Sequence, residues 1–455
     1  MLRTLLRQSS SLLVATLISN LCAYALNLYT ARALGPIEYG TLGALIALLY
    51  LFVIPAGALQ TSVARFGGLA RAAGDRARLG GLLRRVTAAL LCLAAASIVL
   101  VIASSPPLAR AMHVGSVRPI YALAALLWLT FLLSTNRGAL QGWQSIGQLS
   151  INLSIEAGLR LAFGAAFVFV GFGVTGVLSG YCVAALLSLA ASWLVLPAFR
   201  RHRDTPPLVE ILHFSGPALA AYMAMAWMTN VDILVVNHFL AGRVSGQYVS
   251  LATLAKLLFF ISNALTDTMF ALSVAADTRR ASRRLLYQTI AIDTALCLPA
   301  VAGAALFARP VVSLLFGPAY AVAAGQLWRF LLASYLFTLI IVYTKDGLAR
   351  NAMAFLPILL GGAALESILL AAFHGSIGQV LTVLIASFLL TLAGLVALDL
   401  ARQRRWGASS SALQRGDANV LERPLRFSVE NGAGTADVAN HWPPIEDAKE
   451  RYPPS

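Results

Sequence analysis

Twelve apolar runs, each long enough to cross a lipid bilayer, leave this chain of 455 residues little choice of architecture. A spanning helix needs about 20 predominantly apolar residues, and in lipid only helices or closed barrels satisfy their own backbone groups. The runs lie at 12–34, 41–63, 86–105, 119–137, 149–170, 174–197, 214–238, 247–271, 288–308, 324–344, 354–373 and 379–399. Hydrophobic residues make up 59% of the chain and charged ones only 12%, against about 25% charged in a soluble domain. The sequence therefore predicts an all-α polytopic membrane protein whose surplus apolar surface faces lipid. The first run carries Ala23-Tyr24-Ala25, which has the form of a cleavage site. A signal-peptide core is only about 7–15 residues long, however, so this run reads as an uncleaved first span.

The net charge of +15 does not point to nucleic acid, because the basic residues cluster between the apolar runs. With the N-terminus in the cytoplasm, 21 of them fall on the cytoplasmic side and 5 on the other. The larger set includes Arg3 and Arg7, the series from Arg65 to Arg85, Arg137, Arg200–Arg203, Arg279–Arg284, Lys345 and Arg350, and Arg402–Arg405; the smaller is Arg32, Arg110, Arg118, Arg243 and Arg309. The positive-inside rule then puts both termini in the cytoplasm. The four cysteines all sit within apolar runs, so neither a disulfide framework nor a metal site is expected.

The twelve runs divide into two sixes. Gly35-Pro36-Ile37-Glu38-Tyr39-Gly40, between the first two runs, has an echo in Gly242-Arg243-Val244-Ser245-Gly246-Gln247-Tyr248. Gly173-Val174-Thr175-Gly176 has another in Gly375-Ser376-Ile377-Gly378. The offsets are 207 for the first glycines, 209 for the tyrosines and 202 for the second pair. Six is even, so both halves enter from the same side and are parallel repeats about an axis along the membrane normal. The expected domains are an N-terminal lobe at 1–200, a C-terminal lobe at 201–405, and a polar tail at 406–455 too hydrophilic to fold alone. The Gly35 turn reads as a tight hairpin at a lobe edge, with the Tyr39 ring buried and its hydroxyl at the wet interface, or as a gate in which Glu38 acts directly.

Four ordered stretches carry a family likeness: Ala31–Gly40, Ser62–Phe66, Asp232–Val236 followed by Ser245–Tyr248, and Leu314–Tyr320. Together they resemble the polysaccharide transporter (Wzx-type oligosaccharide flippase) family of the MOP exporter superfamily. Phe270-Ala271-Leu272-Ser273 departs from the family pattern, which has a proline after the eighth helix. The resemblance implies two six-helix lobes around a central cavity. It implies alternating-access flipping of undecaprenyl-diphosphate-linked oligosaccharide across the bacterial inner membrane, for O-antigen, capsule or exopolysaccharide synthesis. Membrane lipids and the pathway's polymerase and glycosyltransferases are the implied partners, and no cofactor is.

Ionisable residues within spans are costly and mark function by default. Asp232 and Lys256 lie at depths of about 10 and 15 Å on consecutive antiparallel helices, where they can meet as an ion pair or line the cavity. Glu156 and Arg160 are spaced four apart, as a helical ion pair or as a phosphate ligand held by one. Glu366 has no local partner; it reads as a neutral acid hydrogen-bonded inside the second lobe or, with Asp232, as a candidate for coupling to a proton or sodium gradient. Arg329, near a span end, is placed to snorkel. An anionic headgroup needs cations, and Arg32, Arg65, Arg160 and Lys256 are the candidates. Asn20, Asn27, Gln60, Asn230 and Asn263 place amides on helices 1, 2, 7 and 8, as sugar ligands or interhelical hydrogen bonds.

No phosphate-binding Walker sequence is present, so this chain does not itself power transport with ATP. A multidrug or cation-coupled exporter of the same superfamily is one alternative; it requires acids in its cavity, and few lie within the spans. A membrane-embedded O-antigen polymerase or ligase is another. Such enzymes need a large outer loop, and the longest outer segments here, 105–118 and 308–323, are short and carry no catalytic constellation.

Overall fold

The computed structural model describes residues 2–196, 216–240, 242–274, 279–350 and 352–414. Among them α1 is Leu2–Ala72, α2 Arg76–Ala111, α3 Arg118–Gly142, α4 Ile146–Phe169 and α5 Gly173–Trp193. A second series follows: α6 Gly216–Met228, α7 Val231–Phe239, α8 Arg243–Val274, α9 Arg279–Leu315, α10 Leu327–Ala349, α11 Leu356–Ala372 and α12 Ile377–Gln414. Short 3-10 turns, Pro318–Gln326 and Met353–Phe355, lead into α10 and α11.

Eleven of these helical stretches are long and apolar enough to cross a membrane. The first holds two crossings. Its 71 residues are broken at Gly35, where φ is 73° and ψ 175°. That conformation is open to glycine and strained for residues bearing a Cβ. The helices α6 and α7 share one crossing, interrupted at Thr229–Asn230. The described residues thus make twelve crossings, in agreement with the apolar runs.

In the first half, α1 packs on α3, α4 and α5, and α4 packs along α5. In the second, α8, α9 and α10 pack together, with α6 against α11. The halves meet along α1 and α8. Gly242 has the same left-handed backbone as Gly35, with φ of 77°. The sequence echo is therefore a backbone echo.

The position of the Gly35 turn corrects the expectation of a lobe-edge hairpin. The two echoing motifs press against each other: Gly40 faces Ser245 and Gly246, and Gly43 faces Val249. Tyr39 has no wet hydroxyl. It is 1% exposed, shares a 3.0 Å hydrogen bond with the Thr253 hydroxyl on α8, and packs its ring edge-on to Tyr320 at 6.0 Å. Tyr320 in turn donates to the Ala31 carbonyl at 2.6 Å. The motif forms the seam between lobes.

Other boundaries also differ. Arg137, at the end of its apolar run, and Lys345, just past its own and counted with the cytoplasmic loop bases, lie inside α3 and α10, because both helices continue past their apolar stretch. Residues 406–414, expected in the tail, are the end of α12. The lobe boundary at 200/201, the loop bases Arg200, Arg201 and Arg203, and the tail from 415 onward lie outside the described residues. By packing the chain forms a body, Met1–Asp399, and a separate unit, Leu400–Ser455.

Candidate functional site

A cavity of about 440 Å³ lies mainly within the second half, walled by α6, α7, α8, α10 and α12, with Tyr50, Val53 and Ile54 of α1 closing one side. Most of its lining is apolar, and its polar groups gather in two clusters.

The deeper cluster forms where α6 gives way to α7. The break frees the local backbone, and Asn230 caps it by donating to the Ala226 carbonyl at 2.8 Å. Its side-chain oxygen then accepts from Lys256 Nζ at 3.1 Å. The same ammonium faces the ring of Tyr50, on α1, 5.1 Å from its centroid. Asp232, 3% exposed, accepts from the Tyr248 hydroxyl at 2.5 Å. The expected ion pair between Asp232 and Lys256 is therefore not formed. Tyr248, two turns before Lys256 on α8, occupies the carboxylate, and Asn230 occupies the ammonium. Lys256 still acts on Asp232 electrostatically.

The second cluster lies further along α8. Asn263 and Asp267 follow Lys256 by 7 and 11 residues, or about 10 and 16 Å along the helix. Lys345 on α10 donates to Asp267 at 2.5 Å and to the Asn263 side-chain oxygen at 2.8 Å.

Beyond Tyr50, in the first lobe, Glu156 pairs with Arg160 as its spacing predicted, and also with Arg137. Arg137 further donates to Asn152 at 2.9 Å, which donates to the Ser188 carbonyl at 2.8 Å. Two arginines thus share one carboxylate. Arg160 also faces the ring of Tyr181 at 5.1 Å and lies within electrostatic reach of Tyr50.

The remaining candidates lie elsewhere. Arg32 donates to the carbonyls of Leu314 and Leu315, the exposed end of α9, and lines a separate surface groove with Tyr29. Asn27 bonds back to Ala23 on its own helix at 2.9 Å, and Gln60 joins Gln141 on α3 at 3.2 Å. Arg65 is exposed. None of the four is among the residues that line the cavity. Glu366 is 0% exposed. Neither of its oxygens has a hydrogen-bond partner among the described residues, and Asp232 is its electrostatic neighbour.

Sequence reasoning passed over Tyr50, Asp267 and Lys345, all of which line the cavity. It also passed over Asp293, 1% exposed and bonded to the hydroxyls of Ser262 and Thr338. Asp267 and Asp293 were findable by the rule that selected Asp232, since both are acids inside apolar runs. Lys345 was not, because it stands at the edge of its run.

Twelve crossings make this a multi-pass membrane protein, and its fold is the one shared by solved members of the MOP superfamily. An inward-facing MATE family multidrug transporter of that superfamily superposes with a TM-score of 0.71, at 15% identity over 86% of this chain and 96% of its own. The lipid II flippase MurJ, in an inward closed conformation, superposes with a TM-score of 0.70, at 13% identity over 86% and 87%. A MOP superfamily transporter from Pyrococcus furiosus, described as having a binding pocket of reversed polarity, gives 0.56 at 17% identity over 90% and 96%. No curated protein matches by sequence. The model of the polysaccharide biosynthesis protein family matches residues 29–324, and the chain belongs to that family.

Proposed function

We propose that this protein flips an oligosaccharide linked to a polyprenyl diphosphate, of the undecaprenyl type, from the cytoplasmic to the outer leaflet of a bacterial inner membrane. The reading rests chiefly on Lys256. Its ammonium sits within the membrane-spanning body on neutral partners, Asn230 and Tyr50, and among the described residues no carboxylate pairs with it. A half-buried cation held by neutral groups, with Asp232 acting on it only at a distance, favours the approach of an anion. Arg160, paired with Glu156 and not itself among the lining residues, lies within electrostatic reach of Tyr50 from the other lobe. Asn263, whose amide has a hydrogen beyond the one it gives to Asp267, suits a sugar hydroxyl. Membership of the polysaccharide biosynthesis family supports the same cargo.

In this reading the charge distribution puts both termini in the cytoplasm. The Gly35–Gly246 seam is then the closed outer gate, and the Lys345 cluster is the cytoplasmic mouth. Residues 1–200 and 201–405 act as the rocking lobes. Binding of the headgroup at Lys256, whose ammonium faces Tyr50 of the first lobe, draws on both lobes, so it biases their packing. Glu366 and Asp232 form the site through which a proton or sodium gradient drives the cycle.

The test is flipping of a fluorescent polyprenyl-diphosphate oligosaccharide in proteoliposomes, with and without imposed gradients. Flipping above protein-free vesicles is expected. A second reading, a cation exporter, draws on Asp232 and Asp267, which give the cavity as many carboxylates as lysines. Export of cationic dyes without lipid flipping would select it.

A further inference from the structure

The partners in the Lys345–Asp267 ion pair are unequally placed. The Lys345 side chain is 4% exposed, while that of Asp267 is 60% exposed. A lysine buried at that depth requires an anion. An aspartate largely open to water does not require its lysine, because water solvates it almost as well. The partner free to leave is therefore the acid, and Lys345 then needs a replacement.

The surroundings favour such an exchange. Asn263 bonds both partners: its carbonyl oxygen accepts from Lys345 at 2.8 Å, and its amide donates to Asp267 at 3.3 Å. When Asp267 leaves, that amide is freed for another oxyanion beside the ammonium. The neighbouring acid, Asp346, is engaged by Arg350 at 2.7 Å and does not fill the gap. Asn263, Asp267 and Lys345 line the same cavity as Lys256, which lies two to three helical turns deeper on α8.

We infer that Lys345 and Asn263 form a second anion-binding station at the cavity mouth, masked at rest by Asp267 and opened when a diphosphate headgroup displaces that carboxylate. The inference rests on the flippase reading above. The headgroup trades one anion for another at Lys345 and meets the amide of Asn263. It then passes inward to Lys256, so that it is never left without a counter-charge. Asp267 also excludes stray small anions from the empty cavity.

The experiment uses the purified full chain in detergent and farnesyl diphosphate as probe, with farnesol and inorganic pyrophosphate as controls. Dissociation constants are measured for wild type, Asp267→Asn, Lys345→Gln, Lys345→Arg and the Asp267→Asn/Lys345→Gln double variant, each with its fold checked by thermal melting. Asp267→Asn should bind the diphosphate about 5-fold tighter, Lys345→Gln about 5-fold weaker, and Lys345→Arg within about 2-fold of wild type. The double variant should behave as Lys345→Gln, because Asp267 acts only through Lys345. Affinity unchanged or weakened by Asp267→Asn overturns the mask, as does equal tightening when Lys345 is already absent. Failure of the folded wild type to bind farnesyl diphosphate overturns the flippase reading and the station together. Binding by wild type with no Asp267 effect overturns the station alone. Equal binding of inorganic pyrophosphate assigns the site to free anions instead of lipid headgroups and overturns it likewise.

Discussion

Gly246 lies against the backbone carbonyl of Pro36, 210 residues earlier in the chain, with no room between them for a Cβ. The two residues belong to the two copies of the repeated motif, and their contact brings the lobes together at one end. Small residues at such a seam let backbones approach where lipid offers no hydrophobic driving force for association. Gly246→Val should wedge the seam open. Overpacking of this kind costs about 1–3 kcal/mol, or roughly 5- to 150-fold in a two-state equilibrium. Spin-label distances between positions 37 and 244 should lengthen, and flipping should fall. An unchanged distance distribution would show that the seam yields without separating.

Lys256 carries the proposed headgroup contact, and its partners are neutral. Lys256→Ala should reduce flipping of the diphosphate-linked substrate at least 10-fold, since a charge-assisted contact to phosphate is lost. Tyr50→Phe keeps the ring that faces the ammonium and should be nearly silent. Tyr50→Ala should lower transport by a few-fold, in keeping with a cation–π contact of about 0.5–2 kcal/mol. Transport rates in proteoliposomes separate the three variants, and wild-type activity in Lys256→Ala removes the basis of the substrate assignment.

Glu156 holds two arginines, one of them well buried. Glu156→Ala leaves both without a counter-ion, and removing one partner of a buried pair costs about 3–5 kcal/mol. A clear drop in melting temperature is expected in detergent. Arg160→Gln should cost much less, because Arg160 is 36% exposed and Arg137 remains to neutralise the acid. Should the two variants melt together, Glu156 serves Arg160 alone.

Glu366 sits where a carboxyl has no partner among the described residues. A group so placed is a candidate to take up a cation or proton during the cycle. Glu366→Gln should abolish the stimulation of flipping by an imposed proton or sodium gradient while leaving flipping without a gradient within about 2-fold. Retained stimulation would move the coupling site elsewhere, with Asp293 the next acid to test.

The number of crossings, the duplication and the membrane class were legible in the sequence because each is a one-dimensional property. Apolar run length is set by bilayer thickness, and a glycine in left-handed backbone marks a turn wherever it occurs. The helical spacing of Glu156 and Arg160 was equally local. What faces the cavity was not legible. A helix rotated by a third of a turn presents a different face, and rotation is decided by packing against neighbours far away in the chain.

Thus Arg32, Asn27, Gln60 and Arg65 read as cavity residues by type and depth, yet the fold turns them to a helix end, a backbone carbonyl, a neighbouring amide and the surface. Lys345 read as a topology signal, yet the extension of α10 brings it against Asp267. The separation of Asp232 from Lys256 came from the break at Thr229–Asn230 and from Tyr248, neither of which has a periodicity to betray it. The sequence by itself determined a twelve-crossing membrane protein built from two like halves. Only the tertiary structure decided which charges share a cavity, because a side chain's partners depend on how separate helices are rotated against one another.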